Sequence, residues 1–191
     1  MNYFKHQLSQ VESDSIGKNT KIWQFSIVLK GAVIGENCNI CSHCFIENEV
    51  SIGDNVTIKA GVYLWNGIHI KDNVFIGPNV VFTNDVFPRS KNFKEPERII
   101  IEEGVSLGAN STILAGVKLG KYAMTGIGSV VTRNLKSHGL YYGNPAKQSG
   151  WIDEQGEKLE FDLQNKVWLS KNKSIYIESP DGLTNVESVV K

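Results

Sequence analysis

Three cysteines at intervals of three, Cys38, Cys41 and Cys44, form the densest group of metal-ligating side chains in the sequence. In isolation such a run resembles part of a zinc or iron–sulfur ligand set. Four histidines, His6, His43, His69 and His138, are the side chains whose ordinary pKa suits general-base work near neutral pH. Whether any of these groups meet depends on the elements that carry them.

A repeat sets those elements. From Ile16 every sixth residue is apolar, through Ile22, Val28, Ile34, Ile40, Ile46, Ile52, Ile58, Leu64, Ile70 and Ile76 to Phe82. The residue four places after each is small or β-branched, from Thr20, Ser26 and Ala32 through Cys38 and Cys44 to Val80. A helix needs apolar spacing near 3.6 and an ordinary strand a spacing of 2, so six with a second beat at four describes short strands separated by turns. The turns are visible at Gly35-Glu36-Asn37, Gly53-Asp54-Asn55, Lys71-Asp72-Asn73 and Gly77-Pro78-Asn79. Three hexads close one triangular coil, and the inward aliphatics of successive coils stack into a column. On this ruler Cys38 and Cys44 take the small inward position on different faces, while Cys41 follows Ile40. The cysteines therefore read as packing, and no metal is expected.

Composition agrees with a globular protein: 191 residues, 41% apolar, with 20 basic and 20 acidic side chains. Zero net charge gives no electrostatic reason to expect nucleic acid or a membrane surface as partner. The N-terminus lacks an apolar signal core, no run reaches membrane-span length, and an odd number of thiols fits a reducing compartment, so a cytoplasmic location is expected.

After Phe82 the register breaks, and it resumes at Ile101, Leu107, Ile113 and Leu119. The nineteen-residue step from Phe82 to Ile101 is three hexads plus one, which reads as a change of phase. The segment between, rich in proline and charge, reads as a loop expelled over 83–100, and loops of this length in compact domains are usually functional. Beyond Val131 the hexads stop. A loop over 134–150 is expected, then short antiparallel strands near 158–161, 167–169 and 174–178 that cap the open coil edge, and a loose tail from Pro180. The first fifteen residues are expected to cap the other end. The organisation expected is a β-helix domain over 1–135 and a C-terminal appendage over 136–191.

The hexads resemble the left-handed parallel β-helix acyltransferases of the hexapeptide-repeat superfamily over about residues 14–135, and the handedness is taken from that resemblance. Within it, Gly77-Pro78-Asn79-Val80-Val81-Phe82-Thr83-Asn84, Pro88-Arg89-Ser90, Gly108-Ala109-Asn110-Ser111-Thr112-Ile113 and Gly143-Asn144-Pro145-Ala146-Lys147 with Gly150-Trp151 are similar to N-acetyltransferases of nucleotide-linked 3-amino sugars. The resemblance implies an all-β fold and a homotrimer with active sites between subunits. It also implies an acetyl-CoA-dependent sugar N-acetyltransferase acting for surface glycans such as O-antigen, lipopolysaccharide or S-layer chains.

The acceptor it implies is a dTDP-linked 3-amino-3,6-dideoxyhexose, with a UDP-linked 2-acetamido-3-amino uronic acid as the alternative. From another class stands a non-catalytic or zinc-dependent hexapeptide β-helix, for which His43 and His69 lack the pattern of an interfacial zinc set. A sugar amine is nucleophilic once neutral, so the site must mainly orient it and exclude water. By resemblance Asn84, at the mouth of the loop, orients the amine. Ala109 and Gly126 would lie along pantetheine, with Pro145 and Lys147 near the adenine and phosphates. Glu47, Asn48, Lys59, Tyr63, Trp65, Asn66, His69 and Arg89 are the candidates for the nucleotide sugar, cations suiting its diphosphate and an aromatic its base.

Overall fold

The structure, a computed structural model, describes residues 2–186. Among them there is no α-helix. Two- and three-residue strands stack into three parallel sheets, which form the faces of a β-solenoid of about eight turns. The first face runs from Phe4–Lys5 through Lys21–Ile22, Asn39–Ile40, Thr57–Ile58, Phe75–Ile76, Ser106–Leu107 and Met124–Thr125 to Gly139–Tyr142. The second runs from Gln10–Val11 through Ile27–Val28, Phe45–Ile46, Tyr63–Leu64, Val81–Phe82 and Thr112–Ile113 to Val130–Val131. The third holds Ser15–Ile16, Val33–Ile34, Ser51–Ile52, Ile68–Ile70, Ile99–Ile101 and Lys118–Leu119.

The sixfold register does what the spacing demands. Ile22, Val28, Ile40, Ile46, Ile58, Leu64 and Ile76 are fully buried, and the second beat, from Ser26 and Ala32 to Val80, is buried with them. Corners are turned by left-handed residues: Asn19, Asn37, Asn55 and Asn73 follow the third face, and Phe25, His43, Gly61, Asn79 and Asn110 follow the first. Asparagine and glycine are favoured there because they carry positive φ cheaply. Cys38 and Cys44 are buried, and burial raises both thiol pKa values, that of Cys44 to about 11. Each thiol contacts a main-chain carbonyl one coil on, Gly53 at 3.1 Å and Lys59 at 3.4 Å.

The step from Phe82 to Ile101 is not a change of phase. Phe82 ends a strand of the second face and Ile101 ends the next strand of the third, so the step is one hexad plus thirteen inserted residues. The expelled loop replaces a single corner. Its returning end is seated on two glycines with positive φ: a Cβ on Gly67 would touch Pro96 and Arg98, and one on Gly116 would collide with the Glu97 carboxylate.

Both ends of the solenoid extend further than the repeat suggests. Instead of a simple cap, Phe4–Lys5 and Gln10–Val11 form a first coil paired with Lys21–Ile22 and Ile27–Val28. Val11 to Ile16 is a five-residue step, which takes this coil out of register. At the far end the stretch from Asn134 is not a wandering loop. Leu135 pairs with Leu119, and Gly139–Tyr142 adds a further strand to the first face, against which Lys147–Trp151 lies antiparallel. Val131 to Leu135 is a four-residue step, so the sixfold ruler loses this coil.

The appendage is a four-stranded antiparallel sheet of Glu160–Asp162, Val167–Leu169, Ile175–Ser179 and Gly182–Asn185. Its last strand lies where a loose tail from Pro180 was expected; the rest of that tail, 187–191, lies outside the described residues. The sheet docks on the last coil through His138, which is buried, stacked on Tyr122 and edge-on to Tyr176. The Tyr176 hydroxyl donates to Glu154.

Candidate active site at the loop exit

The corner between the second and third faces carries three asparagines one coil apart, Asn48, Asn66 and Asn84. Asn48 Oδ1 accepts the Gly31 N–H at 3.1 Å, and Asn66 Oδ1 accepts the Glu49 N–H at 2.9 Å. Each caps the corner of the coil before it. By this pattern Asn84 would cap Gly67, but the Gly67 N–H is taken by the Glu49 carbonyl at 3.3 Å. The chain leaves the coil at Asn84, whose side chain is exposed and forms no hydrogen bond among the described residues.

Around this exit the structure gathers several residues singled out from the sequence. Glu47 accepts the Asn66 N–H at 2.7 Å. The Trp65 indole N–H donates to the Phe82 carbonyl at 2.8 Å, and the ring lies 6.1 Å from Tyr63 and 5.8 Å from Phe45. Tyr63 is half exposed on the second face, where it helps line an apolar hollow of about 400 Å³ with Phe25, Ile27, Phe45 and Trp65. Such a hollow can take a planar ring or an apolar partner surface. Arg89 is exposed within the loop, its guanidinium donating to the neighbouring Pro88 carbonyl. Lys59 lies elsewhere, at the corner between the first and second faces, its ammonium 5.9 Å from the Phe75 ring. His69 is on the third face, Nδ1 bonded to Ser51 Oγ at 2.7 Å.

Ala109, Gly126, Pro145 and Lys147 follow the other edge of the second face and the coil end above it. The Ala109 carbonyl accepts the Gly128 N–H at 2.9 Å, while the Ala109 N–H has no partner among the described residues. Gly126 is differently placed. Its N–H donates to Tyr141 and its carbonyl accepts the hydroxyls of Ser129 and Ser111, so its main-chain groups are used within the chain. A side chain there would strike the Tyr142 ring.

The residue one coil beyond Ala109 is Ile127, an exposed corner residue whose N–H is also unpartnered among the described residues. Ala109 and Ile127 thus offer two main-chain donors in a line, the spacing an extended amide-bearing chain could use. Counting eighteen residues on from Ala109 would have found it. Lys147 is exposed and lines a hollow of about 380 Å³ with Arg133 and Lys136, and Pro145, two residues before it, is exposed as well. Three cations suit a phosphate, and only Lys147 among them was marked by its motif.

Asn84 and the Ala109–Ile127 line flank opposite edges of the second face, six residues apart along it by register, a span of up to about 20 Å if extended. Among the described residues no group of three or more His, Cys, Asp or Glu could hold a metal, and no helix is long and apolar enough to cross a membrane.

The fold and this site define a parallel β-solenoid with a polar, aromatic-lined corner at an expelled loop. Residues 15–48 and 49–84 match the family described as bacterial transferase hexapeptide (six repeats), and residues 98–133 match the hexapeptide repeat of succinyl-transferase. The chain belongs to the hexapeptide-repeat transferase family. Over 64 residues, 34% of this chain and 33% of the relative, it is 57% identical to a dTDP-3-amino-3,6-dideoxy-alpha-D-galactopyranose 3-N-acetyltransferase of Aneurinibacillus thermoaerophilus. It is 44% identical over 59 residues to serine acetyltransferase 4 of Arabidopsis thaliana, covering 31% of this chain and 17% of the relative.

These matches span a third or less of the curated relatives' length. Among solved structures, a hexapeptide-repeat-containing acetyltransferase of Vibrio cholerae complexed with acetyl coenzyme A is 27% identical. It covers 64% of this chain and 72% of its own, with a TM-score of 0.57. AntD, an N-acyltransferase of Bacillus cereus in complex with dTDP and coenzyme A, shares the fold over 81% of this chain and 94% of its own, at 23% identity and a TM-score of 0.66.

Proposed function

We propose that the protein transfers acetyl from acetyl-CoA to the C3 amine of a dTDP-linked 3-amino-3,6-dideoxyhexose. The observation that carries this reading is the 57% identity to an enzyme named for that reaction. The geometry supplies places for its parts. Pantetheine amides would accept from the Ala109 and Ile127 N–H groups, and the phosphates would meet Lys147 with Arg133 and Lys136. The base would lie against Tyr63 and Trp65 in the apolar hollow, with the sugar towards Glu47, Asn48, Asn66 and Arg89.

The neutral amine attacks the thioester carbonyl, the C–S bond breaks, and the proton shed by the amine leaves to the CoA thiolate or water. Asn84 Oδ1 accepts a hydrogen bond from the amine and aligns its lone pair without taking the proton. Because the two edges are up to about 20 Å apart on one chain, the site would be completed in a cleft between neighbouring copies, where Asn84 of one would meet the Ala109–Ile127 line of another, as in a homotrimer. The product would serve surface-glycan assembly, and the reaction would run in the cytoplasm, where acetyl-CoA is made.

The test is CoA release from acetyl-CoA with dTDP- and UDP-linked 3-amino sugars in parallel. Turnover with the dTDP sugar supports the reading, and acetylation confined to serine or another unrelated acceptor refutes it.

A further inference from the structure

The loop exit departs from the coils beneath it. At this corner the Leu29 N–H donates to the Ile46 carbonyl and the Glu47 N–H to the Leu64 carbonyl, both at 2.9–3.0 Å. The next rung would join the Trp65 N–H to the Phe82 carbonyl. It is missing, and the ladder between these strands keeps only the pair Tyr63 and Val81. The Trp65 indole N–H occupies the Phe82 carbonyl instead, at 2.8 Å. From the coil above, the Ala115 N–H donates to the Thr83 hydroxyl at 2.9 Å, while the Thr83 N–H keeps its rung to Ile113 at 3.0 Å. The two residues before Asn84 are thus held from below by a ring nitrogen, where the coil beneath has the main-chain rung of Glu47 to Leu64, and from above through a side-chain oxygen, as Glu47 holds the Asn66 N–H.

We propose that Trp65 and Thr83 are positioning residues, which fix the Phe82–Thr83 main chain so that the unbonded Asn84 amide is presented to the acceptor amine. This rests on the reading of Asn84 given above. Thirteen inserted residues would otherwise let the exit drift, and a shift of about 1 Å in an orienting group is enough to lose much of its effect. Trp65 was marked from the sequence as a nucleotide contact. Its ring can still serve the hollow, but its nitrogen is engaged with the chain itself.

The test uses Trp65→Phe, which removes the nitrogen and keeps an aromatic ring, and Thr83→Val, which removes the hydroxyl and keeps the shape, each alone and with Asn84→Ala. Thr83→Ser is the rescue. Melting temperature and oligomeric state are checked for every variant. We expect kcat with the dTDP amino sugar to fall roughly tenfold, about 1.4 kcal/mol, for Trp65→Phe and for Thr83→Val. KM for acetyl-CoA should hold, because its candidate donors lie on the opposite edge. Thr83→Ser should recover most of the rate, and in the Asn84→Ala background neither change should cost further rate, since the group they position is gone.

Full activity in both variants, or the same tenfold loss with Asn84 already removed, overturns the positioning role. Wild-type turnover insensitive to Asn84→Ala refutes the assignment of Asn84 and the proposal with it. No wild-type turnover refutes the function reading itself and leaves Asn84 nothing to present, so the proposal falls as well.

Discussion

Asn48, Asn66 and Asn84 occupy one corner position on successive coils, yet only the first two are bonded to the main chain. Replacing each by alanine therefore separates architecture from chemistry. Asn66→Ala removes the acceptor of the Glu49 N–H, and loss of a side-chain cap of this kind costs about 0.5–2 kcal/mol. For a chain of this size each kcal/mol corresponds to roughly 2–4 °C in melting temperature, so Asn66→Ala should melt a few degrees early. Asn48→Ala should behave alike through the Gly31 N–H.

Asn84→Ala removes no intrachain bond, and exposed substitutions of that kind stay within about 0.5 kcal/mol. Its melting temperature should match the wild type, while kcat falls roughly 10- to 100-fold, the 1.4–2.7 kcal/mol of one well-oriented hydrogen bond. Calorimetry and CoA-release kinetics on the same preparations decide the matter. A melting loss for Asn84→Ala equal to that of Asn66→Ala would show a third cap, and the reasoning would be wrong.

Three further expectations follow from burial and titration. Native protein treated with an alkylating reagent should be labelled at Cys41 at most, since Cys38 and Cys44 are buried and burial raises their pKa; rapid labelling of all three by mass spectrometry contradicts the packing. Ile76→Ala, in the fully buried column, should lose about 2–5 kcal/mol by urea denaturation, whereas Ile16→Ala, only partly buried at the end of the register, should lose clearly less.

Burial also lowers the His138 pKa from 6.5, against the opposing pull of Glu154, the Ile152 carbonyl and Asp153. The folded state then binds this proton less readily than the unfolded chain, so the stability His138 contributes is present above pH 6.5 and lost as pH falls below it. His138→Gln should flatten that part of the pH–stability curve; an unchanged slope would place the titration elsewhere.

The core was legible because one rule, inward every sixth residue, is repeated often enough to fix its own phase. It failed where single steps differ in length: the five-residue step to Ile16, the four-residue step to Leu135, and the thirteen residues inserted after Phe82. An inserted corner and a phase change look alike in a count of residues, and only the pairing of Ile99–Ile101 with Ile68–Ile70 separates them.

The site was legible in part. Asn84 was marked because it stands at the break, and its side chain is exposed and unbonded among the described residues. Gly126 was marked by resemblance as a pantetheine contact; the hydroxyls of Ser111 and Ser129 that close its carbonyl are a matter of packing that spacing does not reveal. Arg133 and Lys136 come beside Lys147 only because the last coil continues past Val131.

The most direct test of where the chemistry lies is the crystal structure of the protein with CoA and the proposed dTDP-linked amino sugar bound. The acceptor nitrogen should lie within hydrogen-bonding distance, about 2.7–3.2 Å, of the Asn84 side-chain oxygen, with pantetheine along Ala109 and Ile127 of a neighbouring copy. An amine held away from every Asn84, or CoA bound on another face, would contradict it.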